Sequence, residues 1–364
     1  MQSPFEDLPL LLSRKEKIKP AFVEYTAKLT YDLNVYKGLF DSLDSQYQDE
    51  PEDVKESIQR TIIETEGDKF KRFLDEKLDE LEQIVSDFSP EEHQCHGYYF
   101  RKQLWDFLLL CPFTARLNLK PRGYQGDSEM MRMIYSNDYQ GESTFSKLLH
   151  KHSVGHKATQ SVRNRIAIVP QVLEGFSSSC PVCSSDGISV LSVGSGPALE
   201  LENLLRTPPD FDKYRFTLFD QDPLAHSEAA TLIHEIEVRF RRSLQVAYLE
   251  ESVRTMLFSR QPEQRWGQFD FIYSMGLFDY LSAPVARAVF GRLYQLLRSE
   301  GEMLIGNFHV SNPSKYYMEY WGDWMLIHRT EQEIRALLQH ASFSKVSVFY
   351  DDIGTQMFLH LKKK

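Results

Sequence analysis

A run of apolar residues, Val190 to Val193, stops at Gly194-Ser195-Gly196-Pro197-Ala198, and the amphipathic stretch "LELENLLR" begins at once. Two glycines and a proline between a buried strand and a helix do one of two things. They make a compact turn, or they leave bare backbone for a ligand to lie against. Asp220 ends the next apolar stretch, "YRFTLFD", 26 residues after Gly194 (220 − 194). A carboxylate there can accept both hydroxyls of a ribose. Turn and acid together are the pattern of a ligand that contains a nucleoside, held where strands end and helices begin.

That pattern fits NAD and S-adenosylmethionine alike. Leu199 stands where a dinucleotide fingerprint wants a third glycine or alanine. Three features favour S-adenosylmethionine. Pro197 removes one of the helix-start N–H groups that a pyrophosphate would use. Glu200 follows the turn, and a carboxylate there repels pyrophosphate but suits an ammonium, although a solvated first-turn acid explains it as well. A later apolar stretch ends in the polar and aromatic "SMGLFDYL", where a reactive methyl would point.

The cofactor-binding candidates follow. Gly194, Ser195 and Gly196 form the turn, and Asp220 with Gln221 ends the second strand. Glu251, Ser252 and Val253 end the third, on the adenine side, while Ser274, Met275 and Gly276 end the fourth, beside the sulfonium. Asp222 reads more simply as the cap of the helix after Pro223. Asp279 and Tyr280 are candidates to face the acceptor, and His309 is a candidate base, with a hydrogen-bonded structural histidine as the plain alternative. The loop after the fifth strand carries Tyr316, Tyr317, Glu319, Trp321 and Trp324, rings that suit the wall of an acyl-chain pocket or a stack on a planar acceptor.

Elements must place these residues. From Ile188 onward, strand and helix patterns alternate, which predicts a mostly parallel, doubly wound sheet with helices on both faces. The late pair "KVSVFYDD" and "TQMFLHLKK" predicts an antiparallel ending at one edge. Residues 1–165 read as a helical N-terminal domain and residues 166–364 as the ligand-binding domain. In the first, Phe70, Phe73, Leu74, Leu78, Leu81 and Ile84 fall on one helical face, with charges opposite. Ser89, Pro90 and the acids after them mark a helix start. These helices either cap the site or pair two copies of the chain as a homodimer.

Composition bounds the partners. The 364 residues are 42% hydrophobic and carry a net charge of −10. That acidity argues against nucleic acid, which needs a basic face. No apolar run approaches the ~20 residues of a membrane span, and "MQSPFEDLPLLLSRKEK" does not read as a secretory signal. Four cysteines do not make a disulfide framework. Cys180 and Cys183 have zinc-knuckle spacing but no second pair, so no metal is expected. The expectation is a cytoplasmic protein acting on a small molecule.

"VLSVGSGPALE", "FTLFDQDP" and "FDFIYSMGLFDYLS" resemble the first, second and fourth motifs of class I S-adenosylmethionine-dependent methyltransferases. "KPRGYQGDSEMMRMI", "RNRI", "GLFDYLS" and "NFHVSNPSKYYMEYWGDWMLIHRTEQEI" are similar to signature stretches of a bacterial subgroup, synthases of methyl esters of 3-hydroxy fatty acids used in cell–cell signalling. The resemblance runs from about Leu104 to the C-terminus. It implies the Rossmann-like fold of that class, S-adenosylmethionine as cofactor and a fatty carboxylate as acceptor. It also implies that Tyr124 and Asp127 reach over the cofactor, where the residues alone allow Asp127 to be a helix cap. Two other functions stay open: a ligand-binding sensor of the same fold without turnover, and an NAD-dependent enzyme. A hydroxyl or amine acceptor also stays open.

Overall fold

The computed structural model describes residues 17–179, 187–338 and 341–364. Cys180 and Cys183 lie outside them. The helices before the sheet are α1 (Pro20–Ser45), α2 (Glu52–Val85), α3 (Pro90–Gln103), α4 (Trp105–Leu110), α5 (Pro112–Leu119), α6 (Ser128–Ser136), α7 (Thr144–Gly155) and α8 (Lys157–Ser179). The chain divides into two compact units. One comprises Met1–Gly126, Ser136–His156 and Ser314–Met325, the other Asp127–Tyr135, Lys157–Pro313 and Leu326–Lys364. The longest stretch of the second unit begins at Lys157 and Asp127–Tyr135 belongs with it, while a short piece after the fifth strand belongs with the first unit.

The first unit is helical. Phe70, Leu74 and Leu81 on α2 are buried, as their spacing predicts. The start of α3 is a reciprocal capping box, Ser89 accepting from the Glu92 N–H while the Glu92 carboxylate accepts from the Ser89 N–H. The aromatic segment after the fifth strand forms a helix here, Lys315–Gly322, and not the loop expected. Tyr317, Tyr320 and Trp321 recur at helical spacing and turn one face into the core of this unit. Tyr320 lies 5.8 Å from Phe22 and 5.9 Å from Phe100, ring centre to ring centre, and Trp321 lies 5.5 Å from Phe100. Their burial in a helical core supplies the purpose that sequence assigned to an acceptor pocket.

The second unit is built on seven strands: β1 (Ile188–Val193), β2 (Tyr214–Asp220), β3 (Gln245–Glu250), β4 (Phe269–Ser274), β5 (Leu297–Phe308), β6 (Phe343–Tyr350) and β7 (Gln356–Lys363). Their order is β3-β2-β1-β4-β5-β7-β6. β1 to β5 run parallel, and β7 runs antiparallel to both β5 and β6. The antiparallel strand therefore lies one place in from the edge. Alternate residues feed two cores. Val190, Phe216, Leu218 and Phe271 pack with Leu173 and Phe176 of α8. Leu191, Val193, Phe219 and Ile272 pack with Phe290 and Leu293. Helices cover both faces of the central strands β1, β2 and β4, which read as near-continuous apolar runs. This is the Rossmann-like, doubly wound sheet of the class I methyltransferase fold. No helix among the described residues is long and apolar enough to cross a membrane.

Candidate functional site

Parallel strands that end together leave their carboxyl ends as the natural place for a ligand. At the end of β1 the backbone makes an unusual turn. Gly194, Gly196 and Ala198 all have positive φ, +66°, +53° and +52°. A left-handed conformation costs a residue with a Cβ about 1–2 kcal/mol, and Ala198 adopts it while fully buried. Such strain is held in place where a turn has a job. A Cβ on Gly196 would meet nothing within 4 Å, so open space lies over this part of the turn. Ser195 is buried, and among the described residues its hydroxyl has no hydrogen-bond partner.

β2 carries Asp220 to the same place. Its Oδ2 accepts the Gly196 N–H at 2.8 Å and its Oδ1 accepts the Asp222 N–H at 3.0 Å. The carboxylate is therefore aimed at the turn and held there, with lone pairs left to accept hydroxyls. Gln221 is exposed beside it, and Asp222 caps the following helix by accepting the Leu224 N–H at 3.0 Å. At the end of β3, the Glu251 N–H bonds the Asp220 carbonyl at 3.0 Å and the Glu251 carboxylate pairs with Arg265. Ser252 caps the helix that begins at Val253, accepting the Thr255 N–H at 3.2 Å.

Glu200 opens the helix after the turn. Tyr273 of β4, buried, donates its hydroxyl to the Glu200 carboxylate at 2.6 Å. Burial pushes the Glu200 carboxyl above its usual range, and the tyrosine bond opposes that. The group is a held acid and not the solvated first-turn residue that sequence also allowed. Ser274 is fully buried, and its hydroxyl donates to the Val193 carbonyl at 2.8 Å. Its side chain ties β4 to β1. The backbone at Met275 and Gly276 passes close to β5: a Cβ on Gly306 would come within 2.8 Å of the Met275 carbonyl oxygen, so only glycine fits there.

Asp279 is buried and accepts the Phe308 N–H at 2.7 Å. Burial pushes its carboxyl up to about 7, against the pull of Arg165 and Arg329. Arg329, also buried, donates to the Phe278 carbonyl at 2.7 Å and bonds Asn307 and the Leu281 carbonyl, which fixes the loop after β4. Arg165 of α8 donates from Nε to Gln356 at 2.6 Å, and Gln356 donates to the Met275 carbonyl at 3.2 Å. Asp351 closes the network, accepting from Ser161 at 2.6 Å and from Asn164 at 3.0 Å.

The remaining candidates are spread more widely. Tyr280 is exposed. The His309 ring bonds Ser311 at 2.7 Å and meets the edge of Tyr350, which places it beside the β6–β7 hairpin. Tyr124 belongs to the first unit, whereas Asp127 belongs to the second and caps α6 through the Met130 N–H at 2.9 Å. Glu319 lies in the first unit. No role was read from sequence for Arg165, Arg329, Asp351 or Gln356, although Arg165 lies in the "RNRI" stretch. One signal was present for Arg165. It falls in phase with Ala158, Val162, Val169, Leu173 and Phe176, the buried stripe of α8, and a cation in an apolar stripe is a residue with a partner to find. Among the described residues no group of three or more histidine, cysteine, aspartate or glutamate side chains is placed to hold a metal ion.

The turn suits a ligand with a ribose and a cationic end. Asp220 offers the acceptor, the space over Gly196 offers room, the Ser195 hydroxyl lacks a partner among the described residues, and the Glu200 carboxylate disfavours a pyrophosphate.

No protein-family model matches the chain, and no curated protein matches it either. Solved structures do. A chain from Bordetella parapertussis described as a possible exported protein is 17% identical, with a TM-score of 0.48, over 77% of this chain and 89% of that one. Magnesium protoporphyrin IX methyltransferase from Synechocystis PCC 6803, with bound SAM, is 12% identical, with a TM-score of 0.40, over 57% and 84%. The N-methyltransferase NodS from Bradyrhizobium japonicum WM9, with S-adenosylhomocysteine, is 15% identical, with a TM-score of 0.37, over 54% and 86%.

Proposed function

We propose that this chain is an S-adenosylmethionine-dependent methyltransferase acting on a small molecule, and that its acceptor is the carboxylate of a 3-hydroxy fatty acid. The observation that carries the cofactor is the strained Gly194–Ala198 turn facing Asp220. Asp220 would take the ribose hydroxyls, Glu200 would face the ammonium, and the main chain at Met275 and Gly276 would lie near the sulfur. When bound, the cofactor supplies a methyl group already activated on a sulfonium. The protein's task is to align the acceptor and exclude water.

The carboxylate rests on the sequence resemblance and on one chemical argument. A phenol or an amine must lose a proton to a base near neutral pH. A fatty acid, with a pKa of about 4–5, has already lost it. Asp279 is bonded to the Phe308 N–H, and the His309 ring is turned to Ser311. A carboxylate acceptor requires neither as a base.

The test is methyl transfer from labelled S-adenosylmethionine to a saturated 3-hydroxy fatty acid, a phenol and an amine, with products read by mass spectrometry. The methyl ester should form, and its rate should change little between about pH 6.5 and 8.5 because the acid is ionised throughout. His309→Ala should lower that rate by far less than the ~10²-fold typical of a lost general base. Transfer to the phenol or amine alone, rising with pH, would overturn the carboxylate assignment and leave the cofactor assignment standing.

A further inference from the structure

We propose that Arg165 is the residue that recognises the carboxylate of the acceptor. The inference rests on the methyltransferase reading above, and it adds a binding site to it.

The side chain is held as a receptor would be. Its stem lies in the buried stripe of α8, and its guanidinium sits 5.6 Å from the Phe308 ring centre. Nε is committed to Gln356 at 2.6 Å, and Gln356 is itself fixed to the Met275 carbonyl at 3.2 Å. Those two bonds set the plane of the guanidinium against the tip of β4. Nη1 lies 3.2 Å from the place a Cβ on Gly276 would occupy, so glycine there lets the fork lie against bare backbone.

The Nη groups make no hydrogen bond to any described residue. The nearest acid, Asp279, is 3.8 Å from Nη2, too far to accept one, and it spends its Oδ1 on the Phe308 N–H. Burial also favours its neutral form, which weakens it as a counter-ion. An arginine that is 8% exposed, with its outer protons unspent, is an expensive arrangement. A planar ligand with two oxygens completes it, because the fork matches a carboxylate in a bidentate way.

Two carboxylates qualify by chemistry: that of a fatty acid and that at the amino-acid end of the cofactor. Position favours the first. Of the cofactor candidates, Gly196, Asp220 and Glu251 lie at the ends of β1, β2 and β3, on one side of β4, while Met275 and Gly276 lie at its tip, on the sulfur side where an acceptor must also come. The partners of Arg165 lie on the other side of β4, Phe308 at the end of β5 and Gln356 at the start of the antiparallel β7.

The experiment is calorimetric titration of the full chain, with and without S-adenosylhomocysteine, using a saturated 3-hydroxy fatty acid and its primary amide. The wild type should bind the acid at least tenfold more tightly than the amide. Arg165→Gln should lose that preference, and Arg165→Lys, which keeps the charge without the fork, should lose most of it. S-adenosylhomocysteine and 5′-methylthioadenosine, which lacks the amino-acid end, should bind both variants as they bind the wild type. Unfolding midpoints close to wild type establish that a variant is folded. A folded Arg165→Gln that still prefers the acid would overturn the proposal, as would a wild type with no preference. A loss of S-adenosylhomocysteine affinity with 5′-methylthioadenosine unaffected would also overturn it, by assigning the fork to the cofactor. A wild type that binds no S-adenosylhomocysteine would end the methyltransferase reading instead, and the acid-against-amide comparison is read without cofactor as well.

Discussion

His150 offers a sharp test of how the helical unit is held together. The residue sits on α7, fully buried, and neither ring nitrogen has a hydrogen-bond partner among the described residues. Its ring meets Phe113 edge-on at 6.3 Å. Burial pushes its pKa from 6.5 down to about 4. The sign follows from which state takes the proton first. As pH falls, the unfolded chain binds a proton near 6.5, while the native ring resists until about 4. Stability from this residue is therefore whole above pH 6.5 and drains away between 6.5 and 4. At about 1.4 kcal/mol per pH unit, the gap amounts to about 3 kcal/mol. His150→Leu removes both unpartnered nitrogens at similar volume. At pH 7.5 the variant should be at least as stable as wild type, since unsatisfied buried polar groups cost about 1–3 kcal/mol. At pH 4.5 its advantage should have grown by a further 2–3 kcal/mol or so. Burial lowers His152 and His156 as well, and these shift both proteins alike. The assay is urea unfolding followed by circular dichroism at pH 7.5, 5.5 and 4.5. Two stability curves that stay parallel across that range would refute the reasoning.

Three further expectations concern the second unit. Gly196→Ala places a methyl in open space at φ +53°, so stability should fall by only about 1–2 kcal/mol while S-adenosylhomocysteine affinity falls more steeply; unchanged affinity in a titration would remove the ligand from that space. Tyr273→Phe strips Glu200 of its donor and should cost about 1–3 kcal/mol; unchanged stability in denaturant titrations would mean the bond contributes nothing. Asp279 holds its proton up to about 7 in the native state against 3.8 as its ordinary value, so its contribution favours folding at low pH and is lost as pH rises through that window. Asp279→Asn should flatten that part of the stability curve, and a curve of unchanged slope between pH 4 and 7 would contradict the assignment.

Much of the sheet is legible in the sequence, because β1, β2, β4 and the later half of β5 are buried and stand out as apolar runs, whereas β3 is largely exposed. The glycine turn, Asp220, the Asp222 cap and the Ser89 cap are local signals, carried by residue type and short spacing. Tertiary choices were harder. The aromatic run after β5 looked like a loop because its residues are polar and aromatic together, yet Tyr317, Tyr320 and Trp321 already had helical spacing. That the segment joins the first unit depends on partners such as Phe22 and Phe100, hundreds of residues away along the chain. The hairpin of β6 and β7 was visible, but its insertion order, with β7 against β5, is a property of sheet pairing. Arg329 illustrates the limit most clearly. Two of its three bonds are to main-chain carbonyls of a distant loop, and no local pattern announces them.

The central claim is that the turn at the end of β1 holds S-adenosylmethionine. Calorimetric titration of the full chain with S-adenosylhomocysteine tests it most directly, with NADH as the competing ligand and Asp220→Asn as the control. The account predicts saturable binding of S-adenosylhomocysteine at one site per chain, no comparable binding of NADH, and an affinity loss in Asp220→Asn of about 1–3 kcal/mol, roughly 5- to 150-fold. Binding of NADH in preference, or S-adenosylhomocysteine affinity that is the same in wild type and a folded Asp220→Asn, would contradict it.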